Sequence, residues 1–200
     1  MKILIINGKG RSGKDEFVNQ LEKYVKVKRY STIDNIKSIA KRYFYWDGQK
    51  DNKGRKLLSD LKIASIEYNN QPHEDMIKAI QEAKKKNYDI FACMIRDIPE
   101  IEKACTDERI KNDIITICIS SNRTQNITYG NVADDNVYDY HYDYYLDNSG
   151  TLDNLKESVE TFLNDLKLLN ITINKEIKAF EDTKNIQKRG LRAKTLGFEF

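Results

Sequence analysis

The chain has 200 residues, with 34 Lys and Arg against 31 Asp and Glu and a formal net charge of +3. That length suffices for one domain with a sizeable core. Residues 171–200 hold seven basic against four acidic residues, so the first 170 are formally neutral, which argues against a broad nucleic-acid surface on the body.

The chain opens with a continuous apolar run, Ile3, Leu4, Ile5 and Ile6. Such a run suits a strand buried on both faces of a parallel sheet. Directly after it comes Gly8-Lys9-Gly10-Arg11-Ser12-Gly13-Lys14-Asp15, which has the form G-x-x-x-x-G-K followed by Asp, where Ser or Thr is usual. Phe17, Val18, Leu21, Tyr24 and Val25 then recur at helical spacing. A glycine turn between a strand and a helix presents backbone N–H groups and a helix N-terminus to an anion, and Lys14 adds a full charge. Residues 8–15 are therefore expected to bind a nucleotide phosphate. Lys14 would bridge the β- and γ-phosphates, and Ser12 would add a hydrogen bond. Asp15 would offer a carboxylate to Mg²⁺ where a hydroxyl is customary, or else a negative charge to the helix dipole.

A short second strand is expected over 27–30. Ser31, Thr32 and Asp34 can cap a following helix with Ile36, Ile39, Ala40, Tyr43 and Phe44 on one side. Trp46-Asp47-Gly48 breaks it, and residues 47–55 read as a polar loop. Leu57, Leu58, Leu61, Ile63 and Ala64 suggest another helix, and Pro72 suits the first turn of the next, with Met76, Ile77 and Ile80 apolar. Residues 89–95 form a buried strand, Pro99 begins a short helix, and 113–120 is the next strand. Residues 121–142 are long, polar and tyrosine-rich; 144–146 is the last strand. Thr151 opens a helix with Leu152, Leu155, Val159, Phe162, Leu163 and Leu166 aligned.

Strands alternating with helices imply an α/β fold in three layers, helices on both faces of a mostly parallel five-stranded sheet. One domain is expected over 1–170, with a lid at about 121–142 and a charged, helical tail over 171–200. Cys93, Cys105 and Cys118 show no metal-type spacing and no C-x-x-C, which fits a reducing compartment. There is no leader pattern and no apolar run long enough to span a membrane, so the expected location is the cytoplasm. Six of the twelve tyrosines (Tyr129, Tyr138, Tyr140, Tyr142, Tyr144, Tyr145) lie among Asp134, Asp135, Asp139, Asp143 and Asp147. Those acids would repel a phosphate backbone, and the tyrosines read as strand packing beside a solvated lid edge. Neither His73 nor His141 has a partner at catalytic spacing.

Cations lie where phosphoryl transfer would need them. Lys37 is one turn into the helix after strand 2. Lys50 and Arg55 lie in the polar loop. Arg96 stands at the carboxyl end of strand 3, and Arg123 follows strand 4 at the start of the lid.

The Ser-Gly-Lys-Asp ending of the loop resembles the phage deoxynucleoside monophosphate kinases and the animal-type phosphomevalonate kinases, both in the nucleoside monophosphate kinase-like P-loop group. Later segments resemble the phage-type kinases: Trp46-Asp47-Gly48-Gln49-Lys50-Asp51 with Lys53-Gly54-Arg55-Lys56-Leu57-Leu58; Ile95-Arg96-Asp97-Ile98-Pro99-Glu100-Ile101; and Tyr129-Gly130-Asn131 with Asp147-Asn148-Ser149-Gly150-Thr151-Leu152. The resemblance covers residues 1 to about 166. It implies transfer of the γ-phosphoryl of ATP, with Mg²⁺, to a (deoxy)nucleoside monophosphate. Lys14, Arg96 and Arg123 would be catalytic, and the acceptor would lie near Asp34, Lys37, Lys50, Arg55 and Arg96. Related kinases often carry a metal-holding acid near the end of the third strand. Here the acid, Asp97, follows Arg96, which leaves Asp15 as the metal candidate. A phosphomevalonate or dephospho-coenzyme A kinase, or a non-catalytic nucleotide-binding regulator, are the alternatives. The partner expected is a small phosphate acceptor; a homodimer is compatible with the chain, and a membrane is not expected.

Overall fold

The computed structural model describes residues 1–49, 51–127 and 135–168. Lys50, the middle of the expected lid and the 171–200 tail lie outside the described residues.

Five strands form one sheet: β1 (Lys2–Asn7), β2 (Val27–Ser31), β3 (Ile90–Met94), β4 (Ile114–Ser120) and β5 (Tyr144–Asp147). Their order is β2-β3-β1-β4-β5, and all four pairings are parallel. Strand β1 is central: Ile3 sits opposite Phe91 of β3 and Ile114 of β4. Its apolar run is continuous because both faces are covered. Ile3 and Ile5 pack with Met76, Ile80, Phe91 and Ile101, while Leu4 and Ile6 pack with Phe17, Leu21, Val159 and Phe162. Each such buried side chain contributes roughly 1.5–3 kcal/mol relative to exposure.

Helices α1 (Lys14–Leu21) and α6 (Leu152–Asp165) cover one face. Helices α4 (Gln71–Lys85) and α5 (Ile98–Thr106) cover the other. Thr151 caps α6 through a capping box with Asn154. Between β2 and α4 the chain makes α2 (Asp34–Phe44) and α3 (Asn52–Asn69), which share a small separate core of Ile36, Ala40 and Leu58.

Two readings of this region change. The polar loop ends early, because the Asp51 carboxylate accepts from Gly54 N–H and starts α3 at Asn52. Arg55 therefore lies on a helix. And of the apolar side of α2, only Ile36 and Ala40 are buried; Tyr43 and Phe44 are 64% and 52% exposed. Helical period fixed which residues share a side, but α3 is narrow and covers only part of it. Among the described residues no helix is long and apolar enough to cross a membrane.

Connections leaving β1 and β4 run in opposite directions along the sheet. The crevice at their carboxyl ends is where ligands bind in open α/β sheets. The 8–15 loop and Arg123 lie at these strand ends, and Arg96 just past the end of the neighbouring β3.

Candidate active site

The loop after β1 wraps around its own lysine. Lys14 is the first residue of α1 and is buried; its Nζ donates to Gly8 O at 2.6 Å and Lys9 O at 2.8 Å. The turn closes with Ser12 N–H donating to Lys9 O at 3.2 Å. Two glycines make this path possible. Gly8 has φ of 147° and Gly13 of 95°, both in the region that favours glycine. A Cβ at Gly8 would also overlap Ile119 O, and one at Gly13 the amide of Asn148. Arg11 takes a left-handed conformation too, with φ of 64°.

The hydroxyl of Ser12, in a residue with no exposed surface, makes no hydrogen bond to the protein. A buried hydroxyl without a partner costs about 1–3 kcal/mol, a cost that an anion accepting its proton would remove. Asp15 is exposed on the first turn of α1, beside Lys14. One carboxylate can serve Mg²⁺ when phosphates and waters supply the rest of its ligands. Among the described residues no group of three or more His, Cys, Asp or Glu is placed to hold a metal by itself.

Lys9 points away from the loop. Its Nζ donates to Gln125 O at 3.2 Å and Ile127 O at 3.1 Å, and lies 5.9 Å from the Tyr138 ring centre. So the 8–15 loop is tied to the turn after β4. Arg123 is in that turn. Its Nε donates to Ser121 Oγ at 3.0 Å and its Nη2 to Asn148 O at 2.6 Å. The expected lid arginine is thus braced across the ends of β4 and β5. Asn148 completes the link, donating through Nδ2 to Ser12 O at 3.0 Å.

On the other side of the loop the candidates are more dispersed. Arg96 is exposed just past β3. Lys37 Nζ is paired with Asp34 at 2.7 Å within the first turns of α2, so these two expected acceptor residues engage each other. Arg55 is exposed on α3. Lys50 lies outside the described residues.

Sequence reasoning missed Lys62. It reaches from α3 to the residues after β3, 3.0 Å from Asp97 and 2.5 Å from Glu100, and its side chain is only 16% exposed. Burial alone would lower its pKa, but the two carboxylates outweigh burial and raise it. Thr32, after β2, donates to Glu100 at 3.3 Å. This network lies where the acid of strand 3 was sought. Nothing in the local pattern of α3 marks Lys62, since its partners are 35 and 38 residues away.

His73 also gains a partner that spacing did not reveal. Its Nε2 lies 2.7 Å from Asp107, whose carboxylate is gripped by Arg109 in turn. Tyr142, Tyr140 and Tyr145 stack edge to face, with Tyr142 buried, as expected of packing rather than a base-binding surface. Cys93 and Cys118 are buried core thiols; burial pushes Cys118 up to about 11.

No family model matches the chain, and no curated protein matches it in sequence. Solved structures do. The chain is similar to the tunicamycin resistance protein of Deinococcus radiodurans, at 13% identity over 84% of this chain and 96% of that one, with a TM-score of 0.51. Shikimate kinase of Aquifex aeolicus matches at 11% identity over 84% and 99%, with a TM-score of 0.44. The APS kinase of Mycobacterium tuberculosis matches at 13% over 82% and 96%, with a TM-score of 0.37. At these identities the likeness is one of fold: an α/β/α domain around a parallel five-stranded sheet. A shared fold does not name an acceptor.

Proposed function

We propose that the chain is a phosphotransferase that moves the γ-phosphoryl group of ATP to a small acceptor, and that the acceptor is a (deoxy)nucleoside monophosphate. The observation that carries the first half is the 8–15 loop itself. It joins a central strand to a helix N-terminus, buries Lys14 and turns an unpartnered Ser12 hydroxyl inward. Those are features of a polyanion cradle.

Lys14 would trade its two carbonyl partners for β- and γ-phosphate oxygens and offset charge during transfer. Asp15 would hold Mg²⁺, which supplies charge neutralisation across the phosphates when bound. Arg123, braced beside Asn148, would sit against the nucleotide on the β4–β5 side. Arg96 would meet the acceptor on the β3 side, with Arg55 and Lys37 further out. Positioning and charge suffice for this chemistry, and no strong base is required. The monophosphate acceptor is supported by these cations, Arg96 and Arg55 among them exposed, and by the resemblance of residues 46–58 and 95–101 to the phage-type kinases.

An acceptor that reacts through a hydroxyl, as a dephospho-coenzyme A kinase-like enzyme would use, is the second reading. The observation in its favour is Asp97, held by Lys62 at 3.0 Å, which could accept a proton beside Arg96.

The deciding experiment measures ADP release with ATP and Mg²⁺ against ribo- and deoxymonophosphates, mevalonate 5-phosphate and dephospho-coenzyme A. Turnover dependent on a monophosphate and lost in Lys14→Ala is the expected result. Turnover on dephospho-coenzyme A alone would favour the second reading. Tight ATP binding without turnover on any acceptor would leave a nucleotide-binding regulator instead.

A further inference from the structure

Asn7 ends β1 immediately before the phosphate loop and has no exposed surface. Its amide can accept through oxygen and donate through two N–H groups. All three capacities are used. Oδ1 accepts from Gly8 N–H at 2.8 Å, and Nδ2 donates to Arg96 O at 3.2 Å and to Tyr142 Oη at 2.8 Å. Tyr142 passes the connection on, donating to Val137 O at 2.8 Å. The Tyr142 ring is 1% exposed and is clasped by Tyr140 and Tyr145, with ring centres 4.9 and 5.7 Å away.

Three segments meet at this one side chain: the start of the phosphate loop, the backbone of the acceptor-side arginine, and the 137–142 segment that leads into β5. Neither a carboxylate nor an aliphatic side chain fits. A carboxylate would bury a charge and lose both donors; an aliphatic side chain would orphan Gly8 N–H and Arg96 O. What the amide adds is a single relative placement of the three segments.

We infer that Asn7, with Tyr142 as its strut, is a positioning residue that fixes Arg96 and the 137–142 segment relative to the phosphate loop, and so sets the geometry of transfer without touching the nucleotide. This rests on the kinase reading above.

Tyr142→Phe keeps the ring and removes the strut. Tyr145→Phe is its control: that hydroxyl accepts from Tyr142 N–H and donates to Tyr140 O, outside the Asn7 link. For Tyr142→Phe, ATP affinity should stay within about twofold of wild type. Its kcat should fall about tenfold and its acceptor KM should rise, as expected when alignment and not nucleotide binding is lost. Tyr145→Phe should leave kcat unchanged even where its thermal stability falls as far.

A second readout does not need turnover. A non-hydrolysable ATP analogue should slow amide hydrogen exchange over 95–100 and 137–142 in the wild type, and that protection should vanish in Tyr142→Phe. Equal kcat in both variants, or protection surviving in Tyr142→Phe, would reduce the Asn7 junction to core packing. A wild type that binds ATP but transfers nothing would defeat the kinase reading, and the exchange pattern would then decide the coupling alone. A wild type that binds no ATP would overturn both.

Discussion

The side-chain amide of Asn148 occupies the space in which any other residue at position 13 would place its β-carbon. Gly13 is thus doubly constrained, by that contact and by its φ of 95°. Gly13→Ala should cost about 1–3 kcal/mol of stability and abolish nucleotide binding. Adding Asn148→Ala should restore part of the stability by removing the overlap and leave the backbone strain in place. Thermal melts of the single and double variants check this, and additive losses would show that the two residues do not compete for space.

Removing the loop lysine tests the site most directly. Lys14→Ala should lower ATP-dependent turnover by about 10²- to 10³-fold, in line with loss of one preorganised charge from a transition state. The melting transition should survive, because β1 and α1 keep their packing. ADP release and a thermal melt, run together, separate lost chemistry from lost fold.

Asp15 carries the metal proposal. Asp15→Ala should raise the Mg²⁺ concentration needed for half-maximal activity by about tenfold while changing ATP affinity little. Asp15→Ser, which supplies the hydroxyl usual at this position, should recover most of the activity. Metal titrations of turnover are the measurement. An unchanged Mg²⁺ requirement would reduce Asp15 to a partner of the helix dipole.

Acid sensitivity should concentrate at Asp107. The Arg109 guanidinium, with a further hydrogen bond from His73, holds its carboxyl well below the usual carboxylate range. A depressed folded-state pKa gives stability that is present above the unfolded value and is lost as pH falls through the folded one. Wild type should therefore lose this contribution below about pH 4. Asp107→Asn should melt lower at neutral pH and lose less on acidification, so the two curves converge in acid. Parallel curves would show that the pair carries no pH-dependent stability.

What could be read from the sequence was local. The glycine loop between strand and helix declares itself through its residue spacing, and the strands through apolar runs, because those signals come from residues next to each other. Even Thr151 as a cap is visible that way. Lys62, Asn7 and Asn148 are not visible, because their partners are brought together only by the sheet; the Asn7 and Asn148 links span 135 and 136 residues. An amide at the end of a strand carries no mark of a junction until β3 and β4 lie on either side of it and Tyr142, just before β5, reaches it. The apolar side of α2 shows the opposite limit: periodicity gives a direction and cannot say what stands in it.

The order of the strands has a consequence for how the molecule is made. β1 pairs with residues 90–94 and 114–118 and with nothing nearer in the chain. At a synthesis rate of roughly 5–20 residues per second, its second neighbour follows it by several seconds or more. The glycine loop thus leaves a strand that waits for most of the domain before it has a place to lie. Long-range parallel pairings of this kind fold slowly. The segment that would hold the nucleotide is translated early and set in place late.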